Sequence, residues 1–139
     1  MAKLKPNEKI STWKRKVWKV FSEYIRLRDC LKTTGLPDYG KCITCSKTIP
    51  KKLLQAGHFI PGRHNNNLFS ERGVNAQCYN CNINLRGNTL EYRRKIIEMY
   101  GEGADLELEA EEKKTKKFTI TELEGLKEYY KEQIRRMEE

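Results

Sequence analysis

Apolar side chains recur at three- and four-residue steps within residues 7–29, at Ile10, Trp13, Val17, Phe21, Tyr24 and Ile25, with Val20 beside them. This is the period of one face of an α-helix. Lys14, Arg15, Lys16, Lys19, Arg26 and Arg28 fall largely off that stripe, so the helix is expected to pack inward and present cations outward. Trp18 lies off the seam as a second contact surface, and the aromatics read as core before they read as stacking platforms for bases. Thr33 to Gly40 is a turn-rich linker. Leu53 to Ile60 then predicts a strand ended by Pro61-Gly62, residues 64–67 a polar loop, and Val74 to Gln77 a second short strand. Cys78 and Cys81 are expected at the start of a helix. Asn88 is placed to cap a helix from Thr89 to Tyr100, with Glu91 in its first turn and Gly101 as its stop. Between Gly103 and Lys117 acids precede bases, pairing Glu109 with Lys113 and Glu112 with Lys116 in a solvent-facing helix or a charged linker. Either Thr119-x-x-Glu122 or Thr121-x-x-Glu124 offers a capping box for a last helix reaching about Met137, striped by Leu123, Leu126, Tyr130 and Ile134. No internal repeat is visible.

The pattern is α+β and mainly helical. Residues 1–40 form a basic amphipathic helix and linker, 41–101 a central core, and 102–139 a charged helical arm. At 139 residues and 37% apolar content the chain suits one compact domain, or a core with helical arms. No apolar run approaches a membrane span, and the N-terminus lacks a signal-peptide core, so an intracellular location is expected. The net charge of +9 is uneven: residues 1–100 carry 20 Lys/Arg against 7 Asp/Glu, and residues 101–139 carry 8 against 12. A basic body of this kind suits a polyanion, nucleic acid above all, or is simply a solvated lysine-rich surface.

Cysteine spacing adds chemistry. Cys42-x2-Cys45 and Cys78-x2-Cys81 are two pairs with 32 residues between them, enough for four thiolates on one tetrahedral zinc. In a reducing compartment paired cysteines are better metal ligands than disulfides, and four thiolates close the coordination shell, which makes such a site structural. Cys30 stands apart as a buried thiol. Between the pairs sits His58, one of two histidines, in the triplet Gly57-His58-Phe59. By its setting it is a catalytic base, an ordinary strand histidine or an alternative zinc ligand. Asn82, directly after the last cysteine, is either a hard oxygen ligand or a helix cap.

A knuckle, a hairpin with histidine at the end of its first strand, and Cys-x2-Cys-Asn opening the next element together resemble the HNH, or ββα-metal, nucleases. The resemblance implies that His58 is a general base and Asn82 a ligand to a catalytic Mg2+ or Mn2+, beside a structural Zn2+ on Cys42, Cys45, Cys78 and Cys81. The ordered set Phe21-Ser22-Glu23-Tyr24-Ile25-Arg26-Leu27-Arg28-Asp29, Cys-Ile-Thr-Cys, Gln-Ala-Gly-His-Phe, Ala-Gln-Cys-x-x-Cys-Asn and Gly87-Asn88-x-x-Glu91-Tyr92-Arg93 is similar to the NinG (Rap) family of lambdoid-phage recombination proteins. That likeness covers roughly residues 10–101 and the remainder in general character. It implies a structure-specific endonuclease acting on Holliday junctions and D-loops inside a phage-infected or prophage-carrying bacterium, with phage or host recombination proteins as further partners.

Two positions depart from the HNH pattern. The residue before the base, elsewhere an acid or a second histidine, is Gly57, and the usual central asparagine corresponds to Gly73, with Asn75 nearest. Candidates for a second ligand are His64, Asn75, Gln77 and Glu91, His64 ranking first by chemistry. Lys51, Lys52, Arg63, Arg72, Arg86, Arg93 and Arg94 surround the site in sequence and are expected to contact DNA phosphates. A symmetric homodimer, seamed by the first and last helices, would engage two arms of a junction. The competing classes are a non-catalytic zinc module that binds DNA or assists recombination, and a sequence-specific HNH nicking enzyme.

Overall fold

The computed structural model describes residues 9–139; the opening residues of the first expected helix, 7 and 8, lie outside them. Helix α1 runs from Ile10 to Thr33, four residues past the expected end. It stops where Thr34 returns its hydroxyl to the Cys30 carbonyl at 2.9 Å and Gly35 takes a left-handed φ of +77°, a backbone geometry that glycine enters without strain. Two three-residue strands, β1 (Tyr39–Lys41) and β2 (Thr48–Pro50), pair antiparallel around the first cysteine knuckle. After a single 3-10 turn, β3 (Leu54–His58) pairs antiparallel with β4 (Val74–Cys78), setting Gln55 opposite Gln77, Gly57 opposite Asn75 and His58 opposite Val74.

Alternation gives this hairpin two working faces. Ala56, Ala76 and Val74 face α1, where Phe21, Ile25 and Cys30 are fully buried. Gln77 and Asn75 face the other way, toward the first knuckle and α3 (Thr89–Tyr100). On that side the Tyr92 hydroxyl donates to the Gly57 carbonyl at 2.6 Å, and Phe59, Tyr92, Ile96 and Leu108 form a second core. Leu108 belongs to α4 (Ala104–Glu112), so the acid-rich stretch is a packed helix rather than a linker. Its charges do not pair along the helix as the spacing predicts: Glu109 takes Arg93, and Glu112 takes His64. Residues 65–67 of the expected 64–67 loop lie in a short helix, α2 (Asn65–Leu68), held partly by the Asn65 side chain donating to the Lys116 carbonyl at 2.9 Å.

Helix α5 (Ile120–Glu138) begins on the first of the two possible capping boxes, with Glu122 N–H donating to Thr119 Oγ1 at 3.1 Å. Its stripe lies against α1 within the same chain. Tyr130 meets Phe21 and Tyr24 with ring centroids 4.9 and 5.0 Å apart, and its hydroxyl joins that of Tyr24 on Glu71. The two stripes expected to seam a dimer are therefore consumed internally. Arg28, expected outward, turns in: it donates to the carbonyls of Glu71 and Val74 at 2.8 and 3.1 Å while pairing with buried Asp29. Among the described residues no helix is long and apolar enough to cross a membrane.

Candidate metal centre and histidine pocket

The four expected cysteines meet. Their sulfur atoms all lie within 4.8 Å of one another, and Cys45 and Cys78 are 3.8 Å apart. A tetrahedral zinc with Zn–S bonds of ~2.3 Å separates its sulfurs by about 3.8 Å, so the donor set fits that ion. Local backbone builds the site. Cys42 and Lys47 close the first knuckle through an N–H···O bond of 2.9 Å, Ser46 turns it at a φ of +64°, and Ile43 N–H ties it to the Ala76 carbonyl at 2.8 Å. The second pair leads from the end of β4 into a helical turn, as expected, but the turn is a single wide one and not an α-helix. Cys81 sits in that turn, Asn80–Asn84, whose Leu85 N–H reaches back five residues to the Asn80 carbonyl.

Around the sulfurs stand donors suited to thiolates. Thr44 Oγ1 is 3.3 Å from Cys42 Sγ, Cys81 N–H donates to Cys78 Sγ at 3.4 Å, and the Asn88 amide reaches Cys81 Sγ at 3.6 Å. Asn88 stands at the N-cap position of α3, as expected, but its side chain makes no cap hydrogen bond and supports the cluster instead. Without an ion, burial pushes the Cys45 thiol up to about 12 and raises Cys78 as well. Burial acts the same way on Cys42, but the Thr44 hydroxyl and neighbouring backbone N–H groups outweigh it and bring that thiol down to about 6.

His58 ends β3 opposite Val74, at the far end of the hairpin from the Leu54–Cys78 pair that leads into the cluster. Its Nε2 lies 3.2 Å from the Leu68 carbonyl oxygen. A carbonyl only accepts, so Nε2 carries the hydrogen and Nδ1 keeps its lone pair. The ring stacks on the Trp18 indole, with centroids 5.1 Å apart and planes at 16°, and the Arg63 guanidinium covers that indole at 4.5 Å. Burial and the Arg63 charge lower the His58 pKa below its ordinary 6.5, against the opposing pull of the Leu68 carbonyl.

His58 and Asn82 line one cleft of about 550 Å³, along the free edge of β3, together with Arg26, Arg63 and Arg86. Of the seven cations expected to bind phosphate, only Arg63 and Arg86 line this cleft. Lys51 pairs with Glu23 at 2.7 Å, Arg72 with Glu107 at 2.9 Å, Arg93 with Asp105 at 2.5 Å, and Arg94 with Glu91 at 3.0 Å. Lys52 is exposed on the 3-10 turn outside the cleft. His64, ranked first as a further ligand, is outside it as well, bound through Nδ1 to Glu112. Asn75 is buried and spends its amide on the Arg72 carbonyl, Tyr92 and Arg28; Glu91 is held by Arg94. Trp18 and Arg26 are the cleft residues that sequence order did not single out, because they come from a helix distant in the chain.

These features define a mostly helical α+β protein with small sheets, a four-cysteine cluster able to hold a structural metal, and an arginine-rimmed histidine cleft. The family described as "Bacteriophage Lambda NinG protein" matches residues 1–139, and the chain belongs to that NinG family of phage proteins. It is 31% identical over 133 residues to Protein ninG of Salmonella phage P22, covering 95% of this chain and 59% of that protein. To Protein ninG of Escherichia phage lambda it is 30% identical, with the same coverage of 95% and 59%. The chain therefore spans little more than half the length of these relatives. No solved structure matches it.

Proposed function

We propose that this chain is a structure-specific DNA endonuclease that cuts branched recombination intermediates, Holliday junctions and D-loops, by metal-assisted phosphodiester hydrolysis. In this reading the knuckles, the β3–β4 hairpin and the turn after it form a zinc-stapled, HNH-like ββα-metal core. The observation that carries it is an imidazole fixed as a free base in the same cleft as a hard amide oxygen and three arginines. A zinc module that only bound DNA would account for the thiolates and the charge, but not for a base held in this tautomer.

Leu68 holds the His58 ring so that Nδ1 accepts a proton from the attacking water. Arg63 and Arg86 position the phosphate and exclude competing orientations, with Arg26, paired to Glu23 at 2.9 Å, beside them. Asn82 Oδ1 would hold a Mg2+ or Mn2+ ion, which when bound supplies charge stabilisation at the phosphoryl and leaving 3′ oxygens. A second groove between α1 and α5, lined by Lys19, Arg26, Lys127 and Lys131 around the single acid Glu23, shares Ser22 and Arg26 with the cleft. It offers a basic track for another duplex arm. A two-fold dimer remains part of the reading, on surfaces other than the α1 and α5 stripes.

The test is cleavage of a labelled four-way junction against a linear duplex of the same sequence, using zinc-loaded protein with and without added Mg2+ or Mn2+. Junction cutting that needs the added ion is expected. Cutting of the linear duplex at one fixed site would favour a nicking enzyme, and no cutting with either ion would favour a binding module. The lowered His58 pKa adds a pH signature. Because the neutral ring is the active form, kcat/KM should stay level as pH falls to about 6.5 and decline only below it, as the ring takes up a proton. An acid limb centred at or above that value would contradict the role given to His58.

A further inference from the structure

Gln77 is fully buried on β4, and its side-chain oxygen Oε1 has no hydrogen-bond partner. Its orientation is fixed from the other end, because Nε2 donates to the Gly87 carbonyl at 3.0 Å and to Thr44 Oγ1 at 3.2 Å. The Gly87 carbonyl can only accept, so the nitrogen belongs on that side and the oxygen must point across the hairpin. There it faces Gly57. A Cβ built on Gly57 would stand 1.9 Å from Gln77 Oε1 and 3.0 Å from Asn82 Oδ1. Because position 57 carries no side chain, Gln77 Oε1 enters the space a Cβ would fill, and it comes there close to Asn82 Oδ1. Asn82 is oriented in the same sense: its Nδ2 donates to Gln55 Oε1 at 2.8 Å, which leaves Oδ1 free to face that space.

A buried, unpartnered oxygen beside a second directed oxygen is the donor arrangement of a hard divalent cation. Resting on the nuclease reading of the cleft, we infer that Gln77 Oε1, which the missing side chain of Gly57 lets come close to Asn82 Oδ1, is a second protein ligand to the catalytic divalent ion. The residue at 57 and the residue at 77 therefore act as one unit: a side chain on Gly57 and the oxygen of Gln77 cannot occupy the site together. Gln77 supplies a neutral donor, so the ion keeps more of its charge for the substrate phosphate than it would beside a carboxylate.

Nitrogen-15 NMR of the zinc-loaded wild-type protein, titrated with substoichiometric Mn2+, tests this without any substitution. The side-chain amide signals of Gln77 and Asn82 are expected to broaden first and together. Broadening of Asn82 while Gln77 stays sharp overturns the inference and leaves the nuclease reading standing. Broadening of neither, or of groups around His64 and Glu112 instead, overturns the inference and removes the metal from the proposed cleft. As a second readout, Gln77→Glu should bind Mn2+ at least tenfold more tightly by electron paramagnetic resonance titration, because a carboxylate replaces the amide oxygen. Affinity equal to wild type in zinc-replete Gln77→Glu would also overturn it.

Discussion

Replacing Cys81 by serine, or stripping the metal with a chelator, is expected to unfold the two knuckles, β1 and β2 with their turn and the turn after β4. The apolar support there is slight. The cysteines Cys42, Cys78 and Cys81 form a cluster with only Ile49 packed against it, and β1 and β2 are three residues each. A structural zinc contributes on the order of 10 kcal/mol to small folds of this kind, comparable to the whole stability of a domain. Losing it should lower the melting midpoint by about 15 °C or more. The α1–α5 pair has its own aromatic contacts, Phe21 and Tyr24 with Tyr130, so much of the helical signal should survive at low temperature. Amide protection should vanish first around residues 39–50 and 78–88. A metal-free protein that melts where the wild type does would contradict this account of the four sulfurs.

His58→Ala is expected to reduce junction cutting by about 10²- to 10⁴-fold, the usual contribution of a positioned general base. Binding should change little, because the ring is neutral at working pH and the phosphate-facing charge sits on Arg63 and Arg86. The substitution removes the stacking partner of Trp18 and leaves the Leu68 carbonyl without its donor, which costs about 1–2 kcal/mol of stability. Zinc content and melting therefore serve as controls. Single-turnover rates at saturating protein separate the lost chemistry from any change in affinity. If the rate falls less than tenfold, the proton is accepted elsewhere.

How legible this was in the sequence varies by element, and the reason is locality. The bounds of α3, the start of α5 and the β3–β4 pairing follow from caps, stops and alternation that lie within a few residues. Helix α4 did not declare itself, because Leu108 finds its partners on β3's continuation, Phe59, and on α3, Tyr92 and Ile96. Charge was the least readable property. The net-acidic tail folds back on the basic body, where Asp105, Glu107 and Glu109 take up Arg93 and Arg72; proximity in sequence therefore overstated the cations free to meet DNA. The sulfur cluster was legible from spacing alone, since short knuckles dictate where their side chains point. The stacking of Trp18 on His58 was not, because it depends on the angle at which α1 crosses the hairpin. The same holds for Asn88, whose place after Gly87 reads as a helix cap while its amide turns to Cys81. Gln77 stood among the candidate second ligands by residue type, but ranking it ahead of His64 takes the register that sets Gly57 opposite Asn75 and Gln55 opposite Gln77.

Chemical rescue tests the central claim most directly. Zinc-loaded His58→Gly, bound to a labelled four-way junction in Mg2+ or Mn2+, should be nearly inert and should regain cutting as imidazole is added. The wild-type rate should not rise under the same additions. If His58→Gly cuts at the wild-type rate, or if no concentration of imidazole restores cutting to a variant that still binds the junction and the metal, the hydrolysis is not performed by the base that β3 places in this cleft.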